Sequence, residues 1–503
     1  MGNLQQYLKR KSVDGKFLFQ YYGVTNFPAM ESLLTYDRFV VDSKCYEVSN
    51  ESIGPMTPAL DRIRNNRAPK QALQGVDFLR KSTLWIRGLG YIYCGFDLEK
   101  AAQPVCPGSL VPSLQEISRP RMMVGVTSAQ TCLVLSGRLK ALRLAGFDVT
   151  LVSSPGELLA QCARDEGVIA FPLPMKRGIA PVADCLSFVS LLWLMFRLRP
   201  HVTDFSTPKA GLLGNLAAWL LRVPHRVYTL RGLKLESARG VKRALLLGAE
   251  RMAAGCAHVV LCNSVSLRDE AVGMRLAPAV KLRLLGDGSS NGVDTERFRP
   301  GMSCPGMSSM RRELGIPERD IVLGFVGRLT ADKGIPELLV AFDQVLREEP
   351  LCWLVLVGWF DEAEDVLEVH WRRQIEMHPR IRHTGFVANV EAYYRGMDVL
   401  VLPTHREGFP NVALGAAACG LPVITTESTG ARDAVLAEVT GLLIPAGIPE
   451  AIAEASLRLV RDAAARRRMG SAGRRWMLER FARDRVLGLA VEFYRELVGT
   501  KRT

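Results

Sequence analysis

From Met122 onward the chain alternates short, continuous apolar runs with longer stretches whose apolar residues recur every three or four positions. Continuous apolar runs suit strands buried on both faces, and helical periods between them suit crossover helices, so the pattern predicts βαβ units and parallel sheets. In a first series the predicted strands are Met122–Val126, Val149–Val152, Gly167–Phe171, Val202–Phe205, Arg226–Leu230 and His258–Cys262, with helices including Lys209–Leu221 and Gly240–Gly255. A second series follows Ser289-Ser-Asn-Gly-Val-Asp294 and a loose stretch, Pro300–Ser309. There, strand Ile321–Val326 leads into a helix over Gly334–Glu349, whose Ile335, Leu338, Leu339, Phe342, Val345 and Leu346 share one face. Strands Trp353–Val357, Arg382–Val387, Val399–Pro403, Pro422–Thr425 and Gly441–Ile444 follow, and helices run from Pro449 to about Val498. The expected fold is α/β: two Rossmann-like, doubly wound domains over residues 119–290 and 291–480, facing a central cleft where ligands of such sheets bind.

Residues 1–118 break this pattern. They show no clear periodicity and end in Gln103-Pro-Val-Cys-Pro-Gly-Ser-Leu-Val-Pro-Ser113, which reads as a linker, so the segment is an extension to which the sequence assigns no function. Met1–Lys16 is polar and charged, unlike a secretory leader. The most apolar stretch, Leu186–Phe196, meets Arg197 before it reaches the roughly 18 residues of a membrane span. The helix around Val182–Arg199 therefore reads either as a core helix or as a surface that touches a membrane face.

Composition narrows the function classes. At 503 residues, 48% hydrophobic and 23% charged, the chain can bury large cores and is not a disordered or low-complexity polymer. Its net charge of +14 calls for an anionic partner: nucleic acid, an anionic membrane face or a phosphorylated substrate. The basic run Arg466-Arg-Arg-Met-Gly-Ser-Ala-Gly-Arg-Arg475 lacks an accompanying nucleic-acid recognition motif or aromatic platform, which leaves the other two and makes peripheral attachment to an anionic membrane an expectation. Eleven cysteines without a CxxC pair or a ligand-spaced His cluster argue against a disulfide framework or zinc site, so no metal is expected and a reducing cytoplasm fits.

Two stretches carry the chemistry. In Gly324-Phe-Val-Gly-Arg-Leu-Thr-Ala-Asp-Lys-Gly334 a strand ends at glycines, and Arg328 and Lys333 precede a helix. Cations and exposed amides at the carboxyl end of a parallel strand suit a diphosphate, although the pattern alone also suits a surface turn; the order of a Walker loop is absent. In Asp398-Val-Leu-Val-Leu-Pro-Thr-His-Arg-Glu-Gly-Phe-Pro-Asn-Val-Ala-Leu-Gly415 a strand is followed by Glu407 and a helix start. A carboxylate there suits sugar hydroxyls; equally, it suits the dipole of the helix it precedes.

Gly327-Arg328 with Lys333-Gly334, and Glu407-Gly-Phe-Pro-Asn-Val412, together resemble the family 4 glycosyltransferases of the GT-B fold over roughly Arg119–Val498. Ser206–Gly214, Tyr228-Thr-Leu-Arg-Gly-Leu-Lys-Leu-Glu236 and Gly288–Asp294 are similar to a bacterial subgroup that builds capsular, exopolysaccharide or lipid-linked glycans. The resemblance implies a nucleotide-sugar donor, a UDP-sugar in particular, as substrate with no cofactor. It also implies transfer with retention, no essential metal, and a glycan or polyprenyl-diphosphate-linked acceptor. It makes Arg328 and Lys333 the diphosphate contacts and Glu407 the grip on the donor sugar. Gly327, Gly334, Phe386, Val387, Gly408, Phe409, Pro410, Asn411, Val412 and Gly415 complete the donor loops. Arg231, where many relatives have histidine, and Lys209 are the acceptor-side candidates, and the last helix, within 481–503, returns to the first domain. One position departs from the family: Gly415 stands where its second motif acid, a ribose ligand, is expected. That glycine admits a second function, a catalytically impaired nucleotide-sugar-binding or scaffold partner derived from such an enzyme.

Overall fold

The computed structural model describes the backbone of residues 8–13, 16–21, 38–41 and 44–47, and residues 119–499 apart from 177, 179, 237, 302–308 and 362–365. The chain divides into two compact units, Met1–Pro112 and Ser113–Thr503. The division falls inside the expected linker, all of which lies outside the described residues. The first unit contains two antiparallel hairpins, β1 (Leu8–Val13) with β2 (Lys16–Tyr21) and β3 (Arg38–Val41) with β4 (Lys44–Glu47).

The second unit holds two parallel sheets. The first consists of β5 (Arg121–Gly125), β6 (Asp148–Ser153), β7 (Ile169–Pro172), β8 (Val202–Ser206), β9 (His225–Leu230), β10 (Val259–Cys262) and β11 (Leu282–Leu284), in the order 11-10-9-8-5-6-7. The second consists of β12 (Ile321–Val326), β13 (Cys352–Val357), β14 (Ile381–His383), β15 (Val399–Leu402), β16 (Val423–Thr426) and β17 (Gly441–Ile444), in the order 14-13-12-15-16-17. Strand register explains the unbroken apolar runs. Successive side chains point to opposite faces, and each face is covered by helices. Met122 and Val124 meet Leu139, Leu142 and Tyr494 on one side, whereas Met123 meets Leu191, Leu194 and Ala217 on the other.

The structure refines several expectations. Strand Arg382–Val387 stops at His383 because Thr384 and Gly385 turn, Gly385 at φ 69°. The three-residue β11 has no pattern of its own in the sequence. The apolar helix spans Pro181–Leu198, 18 residues of mean hydropathy 1.5, so it is long and apolar enough to cross a membrane although Leu186–Phe196 alone is not. The last helices are Pro449–Arg461, Ala463–Phe481 and Arg483–Gly499. The chain crosses back where Val293 bonds both Phe481 and Arg483 through its backbone, at 2.9 Å each. The last helix then packs on the first sheet. Its Tyr494 is fully buried and donates to Asp204 Oδ2 at 2.7 Å while accepting from Arg138 Nη2 at 3.2 Å.

Helix Gly240–Cys256 also buries a carboxyl, Glu250, which accepts from the Tyr228 hydroxyl at 2.6 Å. Burial pushes Glu250 up to about 7, against the opposing pull of that hydrogen bond. A carboxyl raised in the folded state binds protons the unfolded chain has released. Its stabilising contribution is therefore complete near pH 4.5 and is lost as pH rises toward about 7, by on the order of 2–3 kcal/mol. Glu250→Gln keeps an acceptor for Tyr228 and cannot ionise. Melting temperatures measured from pH 5 to 8 are expected to fall for the wild type and stay flatter for the variant, which ends a few degrees higher at pH 8. Parallel curves would refute the shift.

Candidate active site

The site forms where β12 and β15 end. After β12 the chain turns through Gly327 (φ 150°) and a short 3-10 turn, Ala331–Lys333, into helix Ile335–Glu348. Gly334 joins turn to helix at φ 73°, and a Cβ there would fall on the Pro403 carbonyl oxygen, so only glycine lets the turn lie against the loop after β15. That loop is pinned to the turn: His405 N donates to Asp332 O at 3.0 Å, and Lys333 Nζ reaches Arg406 O at 3.4 Å.

This packing joins the two sequence motifs. Lys333 Nζ lies 2.6 Å from Glu407 Oε1, and both side chains are largely buried. Arg328, at the start of the same turn, is paired with Asp361 Oδ2 at 2.6 Å, and its charge acts on Asp332. Arg406 faces Asp332 at 3.3 Å. Burial alone would raise the Asp332 carboxyl, but Lys333, the Thr330 hydroxyl and Arg406 outweigh it and hold the group below its usual range. Asp361, Asp332 and Arg406 were missed in the sequence because their partners are chosen by tertiary structure; the only local signal was their position at strand ends.

The other residues expected in the donor loops divide. Gly408 and Pro410 are buried, Asn411 and Val412 half-buried at the start of helix Asn411–Ala418, and Asn411 Oδ1 accepts from Ser289 Oγ of the first domain at 3.3 Å. Phe409 turns inward, its ring centroid 5.2 Å from that of Phe481, so only its backbone can serve a ligand. Phe386 is exposed and meets the Trp359 ring at 5.7 Å, edge on, and the half-buried Val387 follows it. Gly415 is buried in the same helix. A Cβ there would stand 3.1 Å from the Tyr394 ring and 3.4 Å from Phe298, so aromatic packing crowds the position where the family acid is expected.

From the first domain, the Arg231–Gly232 loop lies directly on Glu407–Gly408: a Cβ on Gly408 would strike the Arg231 carbonyl. Arg231 Nη1 donates to Ser290 Oγ at 2.7 Å, while its Nε and Nη2 are buried with no hydrogen-bond partner among the described residues. Burial and the neighbouring Arg138 charge pull its pKa down to about 10. Lys209 is placed differently. Its ammonium pairs with Asp184 at 2.6 Å and bonds the Gly178 carbonyl, which ties the ends of two first-domain helices together. The domains are also latched by Asp433, whose Oδ2 accepts from Ser266 N at 2.9 Å and from the Ser266 hydroxyl, and by Gly430 N, which donates to Ser266 Oγ at 2.7 Å.

Comparison with known proteins agrees with this architecture. The glycosyl transferases group 1 model matches residues 307–476 and the glycosyl transferase 4-like domain model residues 135–288. A capsular polysaccharide biosynthesis glycosyltransferase of Staphylococcus aureus is 34% identical over 71% of this chain and 92% of its own length. A UDP-Gal:alpha-D-GlcNAc-diphosphoundecaprenol alpha-1,3-galactosyltransferase of Escherichia coli is 26% identical over 63% of this chain and 81% of its own. In fold, an Anabaena protein crystallised with UDP and glucose superposes with a TM-score of 0.62 at 18% identity, covering 75% of this chain and 99% of that one. Sucrose-phosphate synthase from Thermosynechococcus elongatus does so at 0.63 and 21% identity, again over 75% and 99%. With both of its parallel-sheet domains matched and a relative aligned almost end to end, the chain belongs to the group 1, family 4-like glycosyltransferases.

Proposed function

We propose that this glycosyltransferase moves a hexose or N-acetylhexosamine from a UDP-sugar, with retention and without a metal, to a growing glycan on a polyprenyl-diphosphate carrier. The product would be a capsular or other cell-surface polysaccharide. The observation that carries the reading is the Lys333–Glu407 pair at 2.6 Å, with Arg328 at the start of the same turn. On this reading the two cations stabilise the charge that gathers on a departing diphosphate, and the carboxylate holds sugar hydroxyls. Fixed cations in a closed cleft stabilise that charge without reorganising. The acceptor hydroxyl bonds to the anomeric carbon as the bond to the UDP oxygen breaks, and its proton leaves on the phosphate. The S. aureus relative's role in capsule synthesis, the UDP-galactose donor and diphosphoundecaprenol acceptor of the E. coli relative, and the UDP-bound Anabaena fold support donor and acceptor class.

A thermal-shift series of the full chain with UDP, GDP and ADP tests the donor. A ligand at 100 times its dissociation constant adds about 2.7 kcal/mol to stability. UDP is expected to raise the melting temperature and the others not; a shift with GDP or ADP alone overturns the UDP assignment, and no shift overturns the donor site. A second reading, a nucleotide-sugar-binding partner without turnover, is favoured by Gly415, whose surroundings are filled by Tyr394 and Phe298. UDP binding without UDP release in the presence of donor sugars and membrane lipid extract would select it.

A further inference from the structure

In the first sheet β5 lies between β6 and β8. The chain leaves β5 on one side through β6 and β7, then returns to its other side as β8, so the direction of winding changes between β5 and β8. In open parallel sheets the crevice that takes a ligand lies outside the carboxyl ends of the strands at such a switch point. Here the strand ends are rich in hydroxyls: Thr127-Ser128 follows β5, Ser153-Ser154 stands at the end of β6, and Ser206-Thr207 at the end of β8. All of these residues are uncharged, and the charge of Lys209, just beyond Thr207, is matched by Asp184 at 2.6 Å.

Thr207 has a backbone that does not suit it. Its φ is 74° and its ψ 149°, close to a region that is essentially reserved for glycine and least tolerant of a β-branched side chain. Among the described residues, the other non-glycine positions of positive φ are Arg199, Arg222, Arg275, Ser289 and Glu438, none of them β-branched. Pro208 holds ψ extended, since the residue before a proline avoids helical values. The side chain makes use of this conformation. Thr207 Oγ1 accepts from Thr127 N at 3.2 Å and lies 2.6 Å from Thr127 Oγ1, which accepts from Ala210 N at 3.1 Å. One side chain thus ties the turn after β5 to the first turn of helix Pro208–Leu220, across the switch point. Lys209 anchors the same helix start to Asp184 and the Gly178 carbonyl. A glycine at 207 would adopt this backbone without strain. A threonine is explained by its hydroxyl, whose partner is the turn beginning Thr127-Ser128.

We infer that Thr207 is a positioning residue for the acceptor: its strained bridge to Thr127 fixes the spacing of the two loops between which an acceptor sugar enters from the first domain. Thr207 acts through the Thr127–Ser128 turn, not on the reacting atoms. Uncharged hydroxyl residues at the crevice suit the hydroxyls of a sugar, and a misplacement of about 1 Å between reacting groups can cost about 100-fold in rate, so a spacing held by a rigid bridge matters. Strain of this kind persists where the surrounding structure over-determines it, and such outliers cluster at functional sites. The inference rests on the glycosyltransferase reading proposed above and concerns only its acceptor half; the donor turn belongs to the other domain.

Three substitutions separate the bridge from the strain. Thr207→Ser keeps the hydroxyl, Thr207→Ala removes it and keeps the unsuitable φ, and Thr207→Gly removes hydroxyl and strain together. UDP release by the full-chain protein is measured with donor sugar over a range of membrane lipid extract, and melting temperatures are taken with and without UDP. Thr207→Ser is expected to stay close to the wild type, whereas Thr207→Ala and Thr207→Gly each lose about 10- to 100-fold in the initial slope of rate against extract, which reports the acceptor. All four proteins are expected to keep the same UDP-induced shift. Thr207→Gly is expected to melt a few degrees above Thr207→Ala and yet turn over no faster. A wild-type slope in Thr207→Ala, or a Thr207→Ser as impaired as Thr207→Ala, would overturn the proposal. So would a loss of the UDP shift, or activity that rises with melting temperature from Thr207→Ala to Thr207→Gly, either of which would make the role a general structural one. A wild type that releases no UDP would instead overturn the proposed function, and the melting difference between Thr207→Gly and Thr207→Ala would still decide whether position 207 is strained.

Discussion

Arg328→Ala and Lys333→Ala are each expected to lower turnover about 100- to 1,000-fold, measured as UDP release with donor sugar and membrane lipid extract. Both should also lose stability. Arg328 is about one-third exposed, but its partner Asp361 is only 7% exposed, so losing the arginine leaves a buried carboxylate without that charge. Lys333 and Glu407 are 14% and 18% exposed, so removing the lysine strands a largely buried carboxylate and should lower the melting temperature measurably. That gives a way to separate structure from chemistry. Adding Glu407→Gln to Lys333→Ala removes the stranded charge. It is expected to restore the melting temperature while leaving turnover lost, since neither the diphosphate contact nor the sugar contact returns. Arg461→Ala, which removes an exposed cation paired with Glu348 and Glu349, serves as the control and should change nothing. Full activity in both single variants would show that the diphosphate is held elsewhere.

Gly408→Ala is the other large effect expected: turnover down by about 100-fold or more, with UDP still shifting the melting temperature. The added methyl group would meet the Arg231 carbonyl and the Gly232 amide, backbone of the facing domain that cannot rotate away. The cleft must open to accommodate it, and a misplacement of about 1 Å between reacting groups can cost about 100-fold. Nucleotide contacts carried by the second domain's own turn would survive. Unchanged turnover would mean that the contact between these loops is not kept during the reaction.

Much of this was legible in the residues. Ile321–Val326 and Gly441–Ile444 were bounded correctly because a continuous apolar run with glycine at or beside its end leaves little choice of strand. The inward face of Ile335–Glu348 followed from its spacing. What lay hidden was partnership. Nothing local says that Lys333 reaches Glu407, 74 residues on, or that Arg328 finds Asp361 rather than water. Lys209 sits at a helix start in a glycine-bearing turn, a place that suggests a ligand, yet its charge is matched by Asp184, which precedes it by 25 residues. Phe409, inside the donor motif, was indistinguishable from a ligand contact until Phe481 came to lie against it.

The return of the last helix bears on how the protein is made. Tyr494 completes the buried group of Asp204 and Arg138, and the helix that carries it covers one face of a sheet whose strands all lie before residue 285. A ribosome emits the chain from its amino end, so the second domain, with all six strands between 321 and 444, has every strand it needs before that helix emerges. The first domain, although synthesised earlier, waits with part of its apolar face uncovered until helix Arg483–Gly499 has been made. Of the two parallel-sheet domains, the one encoded first is therefore the one finished last.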